Sequence, residues 1–143
     1  MRASKLLFRL FFVLAVLALT SIRAAAASKP EEEAQKAAEK WLALIDAGKV
    51  AESWKEAAAA FRTAVPQDQW QQSITTFRQP FGKLVSRTLK SAKFSTSLPG
   101  APDGKYVVLQ FDTSFANKKD TIETVTPMLD KDGKWRVSGY YIK

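Results

Sequence analysis

The chain has 143 residues, with 22 Lys or Arg against 14 Asp or Glu and a formal net charge of +8. It contains no Cys and no His, which excludes disulfide staples, Cys–His and Ser–His–Asp catalysis, zinc fingers and most transition-metal sites. A lipidated N-terminal cysteine is excluded for the same reason.

Arg2 and Lys5 give a basic start, and residues 10–19 are uncharged and apolar. Ala24-Ala25-Ala26 or Ala25-Ala26-Ala27 then satisfies a small-x-small cleavage rule. This grammar predicts a secretory signal peptide over residues 1–26, cut after Ala26 or Ala27. The apolar part is shorter than the ~20 residues of a spanning helix. An uncleaved anchor over 6–22, with Arg9 snorkelling, is the alternative. Arg2 and Arg9 are not adjacent, so no twin-arginine signal is present. The expected mature chain is one domain over 30–143, placed in the bacterial periplasm or secreted. It keeps no stable membrane span after cleavage. Four of the 22 basic residues leave with the leader, which lowers the balance from +8 to +4. Such a charge aids solubility and does not point to nucleic acid.

The spacing predicts a first helix over 29–47. Pro30 suits a first turn, Glu31, Glu32 and Glu33 suit the positive helix end, and Gly48 stops the run. Its apolar stripe is Ala34, Ala38, Trp41, Leu42 and Ile45. A second helix is predicted over 50–63, with Val50, Trp54, Ala57, Ala58 and Phe61 as its stripe. The run of alanines at 57–60 combines high helix propensity with little bulk, so another element can approach closely there. Pro66 breaks that helix, and a third follows over 67–79 with Trp70, Ile74 and Phe77 on one face. Trp41, Trp54, Trp70, Phe61 and Phe77 are expected in the core.

After Gly82 the period changes to two. Strands are predicted over 84–98, 105–115, 121–129 and 134–142. The breaks between them are the Pro- and Gly-containing stretch 98–104, the polar turn 116–120 and the hairpin signal Asp132-Gly133. In the second strand Val107, Leu109, Phe111, Thr113 and Phe115 share one face, and Tyr106, Val108, Gln110 and Asp112 the wetter one. Pro127 marks an edge strand or a bulge. In the fourth strand Trp135, Val137, Gly139 and Tyr141 share a face, which turns Tyr141 inward and Tyr140 outward. Short turns make neighbouring strands antiparallel. The expected fold class is α+β: three N-terminal helices packed on a four-stranded antiparallel meander sheet.

The segments "AEKWLALIDAGKVAESWKEAAAAF", "FRQPFGKLVSRTLKSAKF" and "GKYVVLQFDTSFANKKDTIETVTPMLDKDGKWRVSGYYIK" resemble the DUF4019 family of small exported bacterial proteins. The likeness covers residues 31–143 or so. It implies a domain boundary and a compartment, and carries no catalytic residues across. The element order and the wording "DAGKVAESW" also resemble the NTF2-like and cystatin-like folds, in which a curved sheet wraps helices. Those folds host enzymes and binding modules alike, so they decide no function.

For catalysis the candidates are Asp112 and Glu123, on strands expected to pair. Sharing a pocket face, they could do general acid and base work in a small hydrolase or isomerase. The ordinary reading of each is a surface or ion-paired carboxylate. Ser86, Ser91 and Ser95 near Lys90 and Lys93 read as a solvated strand rather than a nucleophilic dyad, and 130–134 is too short for an EF-hand loop. Arg136, Ser138 and Tyr140, with Arg87 or Lys90 nearby, form a candidate partner face for a peptide or sugar polymer. No metal site and no cofactor are expected. The leading expectation is a non-catalytic binding module of the periplasm. Its partner is an envelope protein, a peptide, a sugar polymer, a small apolar ligand in a helix–sheet pocket, or a second copy across the sheet.

Overall fold

The computed structural model describes residues 29–143. The expected leader over 1–26 lies outside the described residues. Helix α1 spans Pro30–Asp46, with proline in its first turn beside the three glutamates, and it buries the predicted stripe of Ala34, Ala38, Trp41, Leu42 and Ile45. Gly48 reverses the chain at φ 73°, a conformation without penalty only for glycine.

The second predicted helix is two helices, α2 (Val50–Glu56) and α3 (Ala59–Ala64). Between them Ala57 and Ala58 are extended, with ψ of 162° and 149°. Both are fully buried, and the Ala58 amide donates to the Val137 carbonyl at 2.8 Å. Helix propensity favours alanine by only tenths of a kcal/mol per residue over most residues. A buried backbone bond to the sheet, which a continuous helix would forfeit, outweighs it. Small side chains do permit close approach here, but the approach breaks the helix instead of flanking it.

Helix α4 spans Gln67–Phe77 and buries Trp70 and Ile74; a 3₁₀ turn at Gln79–Phe81 follows. Phe77, expected in the core, is 70% exposed. It is the last residue of its helix and stands on the rim of a cleft, while the next residue, Arg78, turns inward to 4% exposure.

The strands are β1 (Leu84–Ser95), β2 (Tyr106–Phe115), β3 (Lys118–Leu129) and β4 (Trp135–Ile142). They pair in the order β1-β2-β3-β4, all antiparallel. The expected α+β architecture is present, with four α-helices rather than three against the sheet among the described residues. Val107, Leu109, Phe111, Val125 and Val137 meet α1, α2 and α4 in one core. Burying each such side chain is worth roughly 1.5–3 kcal/mol.

Indole N–H groups need partners inside that core. Ser53, fully buried on α2, provides two: Trp41 Nε1 donates to its carbonyl at 2.8 Å and Trp70 Nε1 to its Oγ at 3.0 Å. The Ser53 hydroxyl in turn donates to the Val50 carbonyl at 2.6 Å. Trp54 Nε1 reaches the Val65 carbonyl at 2.7 Å. Phe61 meets Trp70 edge-on at 5.1 Å between centroids.

A bulge sets the faces of β4. Pro127 pairs with Val137 and Thr126 with Gly139, so Ser138 is an extra residue. Proline has no N–H for the ladder, which is why the irregularity falls at Pro127 on a central strand. The Ser138 hydroxyl donates to the Thr126 carbonyl at 2.8 Å. The alternation reverses across the bulge. Val137 and Tyr140 both point inward, and Tyr141 is 61% exposed, the opposite of the expected assignment.

Candidate functional site

Four charged side chains from four elements meet under the sheet. Asp46 is the last residue of α1, where a negative charge opposes the helix dipole and no basic residue stands in the last turn to offset it. Two arginines supply the compensation. Arg78, at the end of α4, donates through Nη2 to Asp46 Oδ1 at 3.1 Å. Arg87, on β1, donates to both Asp46 oxygens at 2.7 and 3.1 Å. The same guanidinium reaches Glu123 on β3 from Nε at 2.7 Å and from Nη2 at 3.2 Å. Two positive and two negative charges thus cancel inside the fold.

Glu123 is fully buried. Its Oε1 also accepts from Thr113 Oγ1 at 2.7 Å, and its Oε2 accepts from the Tyr140 hydroxyl. Thr121 donates to the Thr113 carbonyl at 2.8 Å and completes the ring of partners. Burial first, then the Glu123 charge and hydrogen bond, hold the Tyr140 hydroxyl well above its ordinary 10.0, so it stays a donor. Burial alone would pull the Arg87 guanidinium down; its bonds to Asp46 and Glu123 outweigh that, and its pKa is raised.

This arrangement recasts the two catalytic candidates. Asp112 pairs in register with Ile122, and Glu123 with Phe111. Adjacent positions on a strand face opposite ways. The two carboxylates therefore lie on opposite faces of the sheet and do not share a pocket. Asp112 sits in solvent, its side chain 62% exposed, with Lys90 Nζ 3.9 Å away. Glu123 is enclosed, with both oxygens occupied by donors.

The predicted partner face is also divided. Tyr140 and Arg87 go to the interior network, joined by Glu123. Lys90 is an extra residue in β1, at the bulge between Leu89 and Ser91, and stays exposed. Arg136 clamps the β3–β4 hairpin, with 2.9 Å bonds from Nη1 to Asp130 and Asp132 and a 2.8 Å bond from Nη2 to Asp132. Ser138 is the β4 bulge. The bulge at Ser138 turns Tyr140 inward, and Arg87, opposite the buried Thr113 of β2, lies on the inner face three positions before the exposed Lys90.

Asp46, Arg78, Thr113 and Thr121 escaped the sequence reading. Asp46 carried a legible signal, an acid in the last turn of a helix with no neighbouring base. Such a local conflict calls for a tertiary partner. Arg78 gave none beyond its position after the helix.

Above the network, between α4 and β4, lies a cleft of about 280 Å³. Trp70 and Ile74 line one side, Tyr140 and Ile142 the other, and the exposed rings of Phe77 and Tyr141 belong to the same lining. Arg78 and Tyr140 thus belong to both the cleft and the network. A larger groove of about 620 Å³ runs between α1, α2 and the start of β4. Lys36, Lys40, Lys134 and Arg136 share its lining with Glu33, Glu52 and Glu56, so charges of both signs are interspersed there. Among the described residues, no group of three or more His, Cys, Asp or Glu side chains is placed to hold a metal ion. Nor is any described helix long and apolar enough to cross a membrane.

Neither a curated protein nor a solved structure matches this chain. A family model described as protein of unknown function (DUF4019) matches residues 37–140. That span runs from α1 into β4 and includes Asp46, Arg78, Arg87, Glu123 and Tyr140, so the network lies within the matched residues. The match covers well over half of the sequence, and the chain belongs to the DUF4019 family.

Proposed function

We propose that this protein is a non-catalytic binding module of the bacterial envelope, exported to the periplasm by cleavage of its leader, and that it takes a small apolar ligand in the α4–β4 cleft. The observation that carries the reading is the pairing of an aromatic cleft with exposed rings at Phe77 and Tyr141, 70% and 61% accessible. Large apolar side chains grouped at a concavity are the usual surroundings of a ligand. The buried carboxylate nearest the cleft is held by Arg87, Thr113 and Tyr140, which favours a rigid floor over a reacting group. The helices on one face of a meander sheet also favour an NTF2-like or cystatin-like assignment.

A solvatochromic naphthalene dye tests the reading. Its emission should rise and shift to the blue with the wild-type domain, and the rise should be lost in Phe77→Ser and Tyr141→Ser. No change with the wild type, or equal change in both variants, removes the cleft from consideration. Export is checked separately by the mass of the mature N-terminus. An intact Met1 in a membrane fraction would count against cleavage.

A further inference from the structure

The geometry points to an anionic ligand: we infer that the α4–β4 cleft takes a compact apolar acid, its rings or chain between Phe77 and Tyr141 and its carboxylate drawn to Arg78. The inference rests on the reading of the cleft as a binding site and adds the ligand's charge and size.

Three observations carry it. First, among the described residues Arg78 is the one charged side chain in the cleft lining, so the ionic group at its wall is a guanidinium. Second, its donors are incompletely used. Nη1 donates to the Gly82 carbonyl at 2.7 Å and Nη2 to Asp46, and the guanidinium lies 4.1 Å above the Phe115 ring. Among the described residues its Nε has no hydrogen-bond partner, and it is buried in a residue only 4% exposed. Buried donors left unmatched are rare in folded proteins, and one on an arginine calls for an acceptor. Asp46 balances the charge but accepts from Nη2 alone, so Nε stays unmatched among the described residues. Third, the cleft is small. Its 280 Å³ falls just below the range of ordinary small-molecule sites, roughly 300–1,000 Å³, so the ligand is compact. The remaining walls are mostly apolar, and an acid with an apolar body matches both halves of the site.

The test uses an isosteric pair, 2-naphthoate and 2-naphthalenemethanol, titrated into the exported domain. Binding is followed by calorimetry and by the indole N–H resonance of Trp70, which lines the cleft. The acid should bind at least about tenfold more tightly than the alcohol, the scale of one charge-assisted hydrogen bond. Arg78→Gln should bring the two to the same affinity. Phe77→Ser, on an exposed rim residue, should weaken both in parallel without unfolding the domain. Equal affinity of the two probes for the wild type overturns the inference about charge and leaves the cleft as a binding site. Failure of both probes to move Trp70 overturns the cleft reading itself. Tighter acid binding that persists unchanged in Phe77→Ser places the site elsewhere and also overturns the inference. So does a concentration-dependent dimer that closes the cleft to both probes. The wild-type comparison is decisive even if Arg78→Gln fails to fold.

Discussion

Two arginines in this molecule each grip a pair of carboxylates, in opposite surroundings. Arg87 holds Asp46 and Glu123 with side chains 12%, 17% and 0% exposed. Arg136 holds Asp130 and Asp132 at the tip of the β3–β4 hairpin, where Asp132 is 50% exposed. The distances are nearly the same, 2.7 to 3.2 Å in one cluster and 2.8 to 2.9 Å in the other. Geometry therefore does not distinguish them; solvent does. In the interior the charges have lost their hydration, so each depends on the others, and removal of one strands the rest. At the hairpin, water and salt replace any lost partner, and the pairs contribute little. The buried cluster ties α1, α4, β1, β3 and β4 into one arrangement. The exposed one shapes a single turn.

Deleting the buried arginine is the harshest way to probe that contrast. Arg87→Met should destabilise the domain by about 3–5 kcal/mol in urea unfolding, because Asp46 and Glu123 remain buried with too few donors. Arg87→Met combined with Glu123→Leu should recover part of the loss. A single-variant effect below about 1 kcal/mol would show that water reaches the network. Next in size is Tyr140→Phe, which removes a donor from the Glu123 carboxylate without opening a large void. A loss of about 1.5–3 kcal/mol is expected near neutral pH. The sign with pH follows from the raised hydroxyl: its contribution is intact below 10.0, the unfolded value, and falls as the pH rises above it. The gap between wild type and Tyr140→Phe should therefore narrow in alkaline urea titrations. A gap that widens would contradict the Tyr140–Glu123 bond.

Arg136→Met should shift the urea midpoint far less than Arg87→Met does. The small shift should shrink further at about 1 M salt. A loss as large as that of Arg87→Met would erase the distinction between the clusters. The subtlest effect is on titration. Hydrogen bonds from Arg136 and from the Lys134 amide lower the Asp132 carboxyl from 3.8 to about 2. Its contribution is thus present above the unfolded value and is lost as the pH falls through about 2. Carboxyl NMR should find that midpoint in the wild type and a return toward 3.8 in Arg136→Met. No change between them would mean the hairpin pairs are transient in solution.

The chain's local chemistry was readable wherever neighbours in sequence are neighbours in space. The α1 stripe, the stops at Gly48 and Pro66 and the Asp132-Gly133 hairpin all depend on a few adjacent residues and their dihedral limits, while Pro127 left an edge strand and a bulge both open. The helix break at Ala57 and Ala58 was not readable, because its cause is a carbonyl on β4, about eighty residues away in the chain. The faces of Tyr140 and Tyr141 were lost for a related reason. Period two carries a face assignment along a strand only while the ladder is regular, and one extra residue at Ser138 inverts it.

The sequence by itself determined α1, α4, the four strands and their order, the antiparallel meander and the absence of any histidine or cysteine chemistry. Only the tertiary structure decided which charges are inside. Glu123 and Asp112 are both carboxylates on adjacent strands; their fates diverge because one register position faces the interior and the other faces water. Hydrogen-bond partners for a buried charge are gathered from across the chain, and no local pattern records that convergence.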